Sequence, residues 1–210
     1  MSKDLNPEKA LIFRIMHKGN VNRVLTDGCH CRTTMLGKPG YIEIGNQELI
    51  AKRTSRPVPC GPGGTLSDYV PFYFTPYTPM LYNIKTGRGV PKQPVADIII
   101  LVSSLRYLAE KGVPFVFTDR HAYLRTAQFS DDLADLDRII WPTLQIRDFK
   151  KDDVDKFEKY QAEALVHKRV PVDALLGIVC YTDELRVAVQ TEADKRRVEI
   201  KVVAQPKWYL

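Results

Sequence analysis

The pattern of apolar and polar positions along the chain predicts a core made mainly of strands. Two stretches are mostly apolar, "LIFRIMH" at 11–17 and "ADIIILVS" at 96–103, and each has the length of a strand buried in a sheet. The stretch "YVPFYF" at 69–74 alternates as a strand does. Further strands are predicted at 113–119, 163–167, 177–181 and 198–205.

Helical patterns lie between the strands without a regular alternation. Asn20 suits the N-cap of a short helix over 21–27, and Gly28 suits the position after its end. Further helices are predicted at 104–112, 129–138, 152–160 and 183–196. Because strands predominate and no regular β-α-β repeat appears, the pattern favours a mixed α+β fold over a doubly wound parallel sheet. The length of 210 residues fits a single domain, 1–210.

A long irregular stretch runs from about residue 29 to residue 72. It contains "GKPG" and "RPVPCGPGG" and only short periodic pieces. Loops of this length in a compact domain are usually functional. We therefore expect part of a binding or catalytic site in this stretch.

Composition and charge narrow the function classes. No apolar run approaches about 18 residues, so no membrane span is expected. The polar N-terminus lacks the apolar core of a signal peptide, which indicates a cytoplasmic protein. The formal net charge of +6 permits a polyanionic partner without requiring one. The run Cys29-His30-Cys31 lacks the second ligand pair that structural zinc needs, so no metal is expected.

Several familiar chemistries have no counterpart in the sequence, which contains no P-loop, no GxGxxG after a strand, no HExxH and no GxSxG. What remains is a scattered polar set in apolar or aromatic surroundings. These residues are His17, Arg53, Tyr73, His121 and Glu163. Each also has an ordinary structural explanation: hydrogen bonding at strand ends for the histidines, a solvated surface charge for the arginine and the glutamate, and core packing for the tyrosine.

Five blocks of the sequence, in this order, resemble the signature blocks of the DarT family. They are "ALIFRIMHKGNVNRVLTDGCHC", "IGNQELIAKR", "GGTLSDYVPFYFTPYTPMLYNI", "VPFVFTDRHAY" and "FEKYQAEALV". Together they cover most of residues 8–181, and the C-terminal thirty residues match least. Members of this family are bacterial toxins that ADP-ribosylate DNA.

The resemblance implies an ADP-ribosyltransferase fold, in which two packed, mostly antiparallel sheets with flanking helices surround a cleft that holds NAD as co-substrate. It implies that the target is a base in single-stranded DNA, most often thymine. It also implies a partner antitoxin, a macrodomain enzyme that removes the modification. Four tyrosines near basic residues can stack on the bases of such a strand. They are Tyr41, Tyr77, Tyr82 and Tyr123.

The resemblance also assigns roles to the scattered polar residues. Glu163 matches the catalytic glutamate, which would stabilise the positive charge that develops on the ribose. Its alanine neighbours would leave room for that ribose. His17 matches a position that holds the nicotinamide-side ribose, and Tyr73 one that stacks on nicotinamide. Arg53 matches an arginine that meets the donor phosphates or the incoming base, and His121 a histidine that orients the base or the glutamate.

Three alternatives stay open at this point. The chain could be an NAD-dependent enzyme of the same fold that acts on RNA, such as a tRNA 2′-phosphotransferase. It could be a non-catalytic nucleic-acid-binding module, although a pure binder would not need a carboxylate in a basic groove. It could also be an ADP-ribosyltransferase that modifies protein, which the net positive charge weakly disfavours.

Overall fold

A computed structural model describes residues 2–35 and 39–209, which form a large sheet, a small sheet and connecting helices. The strands are β1 (Leu11–His17), β2 (Cys29–His30), β3 (Tyr69–Tyr73), β4 (Ile98–Ser104), β5 (Phe115–Thr118), β6 (Phe129–Ser130), β7 (Glu163–His167), β8 (Arg169–Val170), β9 (Gly177–Cys180) and β10 (Val202–Ala204). The α-helices are α1 (Val21–Asp27), α2 (Arg32–Met35), α3 (Gln47–Lys52), α4 (Pro79–Thr86), α5 (Leu105–Glu110), α6 (Trp141–Ile146), α7 (Val154–Lys159) and α8 (Asp183–Lys195). The mixed α+β class is confirmed.

The main sheet has eight strands in the order β10-β9-β4-β1-β3-β7-β5-β6, and β2 pairs with β8 in the small sheet. Neighbouring strands of the main sheet are antiparallel except β9 and β10, which are parallel. β4 lies between β1 and β9, and its side chains are buried on both faces of the sheet. Burial on both faces explains why its sequence is a continuous apolar run without alternation.

The main sheet nearly divides into two halves between β1 and β3. β1 pairs with β4 along its whole length, but it pairs with β3 only where Phe13 lies opposite Tyr73. Beyond that point Pro71 in β3 has no N–H to offer. Its carbonyl oxygen instead accepts a hydrogen bond from Arg14 Nη1, at 2.8 Å, across the gap. The two sheets that the resemblance implies are thus two halves of one sheet, and a cleft opens between them.

Several elements predicted from the apolar pattern agree closely with the structure. β1 and β7 have the predicted bounds, and α8 follows the predicted helix closely. α1 ends before Gly28, whose φ of +80° only glycine adopts without strain. Asn20 is at the N-cap, but its side chain does not cap the helix. Its amide instead makes two hydrogen bonds of 2.9 Å with the backbone of Ile42, which tie the irregular stretch to the end of β1.

Several regions differ from the predictions. The predicted helix at 129–138 is the short strand β6 followed by a 3-10 turn, Leu133–Arg138. The closing strand is shorter than predicted and contains only Val202–Ala204. α4 and α6 are absent from the predictions, since each is short and begins with a proline in its first turn. The irregular stretch at 29–72 contains α2 and α3, and a 3-10 turn, Arg53–Ser55, follows α3 directly.

Three further features concern membrane-spanning helices, metal-binding groups and the cysteines. None of the helices in residues 2–35 and 39–209 is long and apolar enough to cross a membrane. The same residues contain no group of three His, Cys, Asp or Glu side chains that could hold a metal ion. The four cysteines are free thiols, and Cys29, Cys31 and Cys180 are buried.

Asp68→Asn is expected to lower the free energy of unfolding at pH 7 by about 1–3 kcal/mol. The carboxylate of Asp68 pairs with Lys168, and it accepts hydrogen bonds from the backbone N–H of Thr65 at 2.8 Å and from the Thr33 hydroxyl at 3.0 Å. These contacts hold the pKa of Asp68 well below its usual range, with the Lys168 hydrogen bond contributing most. The asparagine side chain loses the charge and can accept through one oxygen only.

The same contacts fix the pH dependence of this difference. Because the pKa of Asp68 is lower in the folded chain than in the unfolded chain, its stabilisation is present above the unfolded value of about 3.9 and is lost as the pH falls through the folded value. Urea unfolding at pH 7 and at stepwise lower pH should show the wild type and Asp68→Asn converging below about pH 4. Asp173→Asn, at an exposed ion pair with Lys111, is the matched control. Equal stabilities at pH 7 would contradict this role.

Candidate active site

Glu163 is the first residue of β7, and only 2% of its surface is exposed. Its Oε2 atom accepts a hydrogen bond from Arg53 Nη1 at 2.9 Å, and its Oε1 atom accepts one from the backbone N–H of Ala122 at 3.1 Å. His121 Nδ1 lies 3.1 Å from the same Oε1 atom. Segments that are far apart in the sequence therefore converge on one carboxylate.

The surroundings of Glu163 keep its carboxylate charged. Burial alone would raise the pKa of Glu163, but the charge of Arg53, the ring of His121 and the hydrogen bonds from Arg53 and Ala122 outweigh that effect. The pKa of Glu163 therefore lies below its ordinary value. A buried anion at neutral pH is the result.

Neighbouring strands fix the position of Glu163. Tyr73 lies opposite it in β3, and Thr118 Oγ1 at the end of β5 accepts its backbone N–H at 3.2 Å. Side chains alternate between the faces of a strand, so Ala164 points away from Glu163, and Ala162 lies just before the strand; both alanines are buried in the apolar core. These alanines therefore pack the core and do not leave room for a ribose, contrary to the sequence expectation.

His121 is held by its backbone as well as by its ring. Its N–H donates to the carbonyl oxygen of Glu158 at 3.2 Å. Burial lowers the pKa of His121 and the charge of Arg53 adds to that effect, while Glu163 opposes it. The imidazole ring of His121 is therefore neutral at pH 7. Its Nδ1 atom, which also lies 3.3 Å from the Tyr123 N–H, either donates to Glu163 or accepts from Tyr123, according to the tautomer.

Arg53 is a buried residue and not the surface charge that the sequence also allowed. It follows α3, whose N-cap Asn46 accepts the Leu49 N–H, and only 9% of its surface is exposed. Its Nη1 atom contacts Glu163. Its Nη2 atom is buried and has no hydrogen-bond partner among the described residues. A buried guanidinium nitrogen of this kind is suited to an acceptor oxygen of a ligand.

A cleft opens where the two halves of the main sheet separate. Arg53, His121 and Glu163 line it, together with Tyr73 and apolar side chains of β1 and of residues 41–50. The hydroxyl of Tyr73 lies 3.8 Å from Met80 Sδ. Burial and the nearby Glu163 raise the pKa of Tyr73, so its phenol stays protonated. Four of the five polar residues singled out in the sequence thus share one cleft.

His17, the fifth, lies outside the lining of this cleft. It ends β1 opposite Ile98, and its Nδ1 atom accepts the backbone N–H of Gly19 at 3.0 Å. This is the strand-end hydrogen bonding that the sequence also allowed. A Cβ placed on Gly19 would meet the side chain of Ile42 at 2.7 Å, and Ile42 lines the cleft. The turn after His17 therefore adjoins the cleft wall, and the donor-binding role of His17 stays a prediction.

Arg14 is a cleft residue that the sequence reasoning missed. Besides its hydrogen bond to Pro71, it places Nη2 at 3.4 Å from the hydroxyl of Tyr41. Its Nε atom is buried without a partner in the described part of the chain. A signal was present, because Arg14 is a charged residue in the middle of the apolar run "LIFRIMH". A cation at such a position needs a partner or a ligand.

The tyrosines expected to stack on bases differ in their accessibility. Tyr77 is 1% exposed and lies beneath the guanidinium of Arg147, which is 3.6 Å from the ring centroid. It therefore packs in the core and cannot stack on a base. Tyr82 is 37% exposed, and Tyr41 and Tyr123 are partly buried. These three keep faces that a ligand can reach.

Comparison with known proteins finds one family along most of the chain. The family model described as "ssDNA thymidine ADP-ribosyltransferase, DarT" matches residues 13–210. A DNA ADP-ribosyl transferase of Escherichia coli O127:H6 (strain E2348/69 / EPEC) is 49% identical over 211 residues, which cover 99% of this chain and 97% of that protein. A DNA ADP-ribosyl transferase of Thermus sp. (strain 2.9) is 34% identical, and the match covers 97% of each chain.

Solved structures share the fold. Thermus sp. 2.9 DarT in complex with ADP-ribosylated ssDNA superposes with a TM-score of 0.88 at 32% identity, covering 97% of this chain and 98% of that chain. The same Thermus protein in complex with NAD+ gives a TM-score of 0.84 at 32% identity, covering 97% and 99%. The two matches agree with the α+β architecture described above.

Proposed function

The chain belongs to the DarT family of single-stranded-DNA thymidine ADP-ribosyltransferases, and we propose that it transfers ADP-ribose from NAD to a thymine base through Glu163. The observation that carries this proposal is the buried, ionised carboxylate at the cleft, held by Arg53 and beside His121. A module that only bound nucleic acid would gain nothing from this anion, because it repels phosphate.

The cleft suits NAD in its chemistry. Its walls are mainly apolar with a few polar groups, as is usual for small-molecule sites. The unpartnered Nη2 of Arg53 and Nε of Arg14 can donate to diphosphate or ribose oxygens. NAD supplies the ADP-ribosyl group, and its bond to nicotinamide breaks with positive charge developing on the adjoining ribose.

The donor side of the reaction is assigned to Glu163, Tyr73 and His17. The carboxylate of Glu163 accepts a hydrogen bond from a ribose hydroxyl and stabilises the developing charge. The ring of Tyr73, next to Glu163 in the sheet, stacks on nicotinamide. His17, at the end of β1, is retained as a residue that holds the nicotinamide-side ribose. His17 lies near the cleft wall, and this placement supports its role less directly than the contacts of Glu163 support the role of Glu163.

The acceptor side is assigned to Arg53 and His121. Thymine N3 is a weak nucleophile while it carries its proton, so a cation beside it favours the deprotonated base. Arg53 supplies that cation. His121 is neutral because of its burial, and it can therefore accept a proton or orient the base.

The biological setting is part of the same proposal. ADP-ribose on thymine blocks pairing at N3, so the modification would stop replication and act as a toxin. Membership of the family supports a partner antitoxin of the macrodomain type that removes the modification. Such an enzyme should restore the original mass of an oligonucleotide that this chain has modified.

Mass spectrometry of a thymine-containing oligonucleotide after incubation with NAD tests the function. We expect the mass of one ADP-ribosyl group on the single strand, and a rate at least roughly tenfold lower when the strand is annealed to its complement, because N3 is then paired. Equal modification of duplex and single strand would refute the single-strand claim and leave the NAD chemistry intact. RNA of the same sequence and a protein acceptor are the controls for the remaining alternatives.

A further inference from the structure

Arg120 lies next to His121 in the sequence but outside the lining of the cleft. Its Nε atom pairs with the Asp119 carboxylate at 3.1 Å, and its Nη1 atom pairs with Asp155 at 3.1 Å and with Glu158 at 3.3 Å. Only 14% of the Arg120 side chain is exposed. A mostly buried cation therefore connects the turn after β5 to α7, the helix that contains Asp155 and Glu158.

The turn that contains Arg120 supplies two of the contacts of Glu163. His121 Nδ1 lies 3.1 Å from Oε1 of Glu163, and the Ala122 N–H donates to the same atom at 3.1 Å. The carbonyl oxygen of Arg120 accepts a hydrogen bond from the Thr118 hydroxyl at 2.6 Å, and that hydroxyl oxygen accepts the backbone N–H of Glu163 at 3.2 Å. The backbone of Arg120 is thus tied to the strand that carries the buried carboxylate.

Glu158 contacts this turn twice, once through its side chain and once through its backbone. Its carboxylate pairs with Arg120, and its carbonyl oxygen accepts the His121 N–H at 3.2 Å. On the other side of the turn, the Asp119 carboxylate pairs with Arg120 and accepts the backbone N–H of Gln128 at 2.9 Å. The guanidinium of Arg120 therefore fixes the turn against α7 on one side and against the segment before β6 on the other.

Loss of this guanidinium would leave three neighbouring carboxylates without the cation that they share. Asp119 is buried and the Glu158 side chain is only 28% exposed, so water screens their repulsion incompletely. Separation of the turn from α7 would relieve the repulsion and would move His121 and Ala122 relative to Glu163. A misplacement of about 1 Å in a catalytic site can lower a rate by roughly a hundredfold.

We propose that Arg120 is a positioning residue for ADP-ribosyl transfer. Through its ion pairs it holds the turn, and with it the His121 ring and the Ala122 N–H, against the carboxylate of Glu163. The inference rests on the proposed function, because Arg120 acts only through the groups to which transfer is assigned. The same ion pairs make the geometry of the site depend on the placement of α7.

Arg120→Met should lower the single-turnover rate of transfer to single-stranded DNA by roughly tenfold to a hundredfold, with the Kd for NAD within about twofold of the wild type. Glu158→Gln removes the connection from the side of α7, at a partly exposed carboxylate, and should lower the rate by a smaller factor. The double variant should be no slower than Arg120→Met, because both changes interrupt one connection. Losses that multiply in the double variant would overturn the proposal.

Amide hydrogen exchange tests the positioning without the reaction. The amides of His121 and Ala122 should exchange roughly tenfold faster in Arg120→Met than in the wild type, because the turn opens locally. A purely structural role would lower the Tm and leave both the transfer rate of the folded variant and this local exchange unchanged, and that result would overturn the proposal. Arg186→Met, at an ion pair with the exposed Asp183 on α8, is the matched control and should equal the wild type in rate and exchange.

Glu158→Gln carries both measurements if Arg120→Met does not fold. A wild-type transfer rate together with wild-type exchange of the His121 and Ala122 amides in Glu158→Gln would then overturn the proposal. Failure of the wild type to modify the oligonucleotide would instead overturn the proposed function, and with it the role of Arg120 in transfer. The exchange measurement would still decide whether Arg120 holds the turn.

Discussion

Glu163→Gln should lower the rate of ADP-ribosyl transfer to single-stranded DNA by roughly a hundredfold or more, with little change in NAD affinity. The glutamine keeps the size of the side chain but has no negative charge to set against the charge that develops on the ribose. Ground-state contacts to NAD change less, because the other cleft residues are untouched. The loss should therefore appear in the single-turnover rate constant and not in the Kd for NAD.

The geometry around Glu163 also sets the controls. Its two oxygens accept hydrogen bonds from Arg53 and from the Ala122 N–H. In the glutamine variant, the side-chain NH2 group must face one of these two N–H donors, which is unfavourable. Thermal unfolding of the variant must therefore be measured beside its kinetics. Glu192→Gln, at a partly exposed ion pair on α8, should transfer at the wild-type rate. Near-normal transfer by Glu163→Gln would return Glu163 to a purely structural role.

Part of this site could be predicted because it follows from strand patterns. The strands that carry Tyr73 and Glu163 were both predicted from their apolar positions. Their register, which places the two residues opposite each other, depends on pairing between distant parts of the chain that periodicity does not encode. The resemblance to the family identified the residues, and the structure shows which ones meet.

Other features depend on tertiary contacts that no local pattern reports. Arg53 sits in a stretch rich in glycine and proline, which by itself indicates a solvated loop, yet its guanidinium is buried against Glu163. Arg14 bridges β1 and β3 by donating to the carbonyl oxygen of Pro71, at an edge where that proline has no N–H. The alanines beside Glu163 suggest space for a ribose, but both are buried in the core. For the two arginines, the contacts of the side chain are decided by a distant segment.

Arg53→Lys should lower the single-turnover transfer rate by roughly tenfold to a hundredfold. Arg53 uses Nη1 for Glu163 and holds Nη2 buried and free for a ligand. A lysine ammonium can replace the first contact but cannot present a second donor in the same plane. Lysine keeps the positive charge beside the base. The expected loss of transfer rate therefore reports the planar guanidinium geometry more than the charge.

The burial of Arg53 changes the expectation for stability as well. A solvated loop charge would contribute little to folding, but only 11% of the Arg53 side chain and 3% of the Glu163 side chain are exposed. Arg53→Lys leaves part of this buried pair poorly satisfied, so the free energy of unfolding should fall by about 1–3 kcal/mol. Arg138→Lys, at a more exposed pair with Asp135, is the matched control and should match the wild type in both assays. If the lysine variant shows wild-type kinetics and wild-type stability, then neither the planar guanidinium of Arg53 nor its buried pair with Glu163 has the role assigned to it.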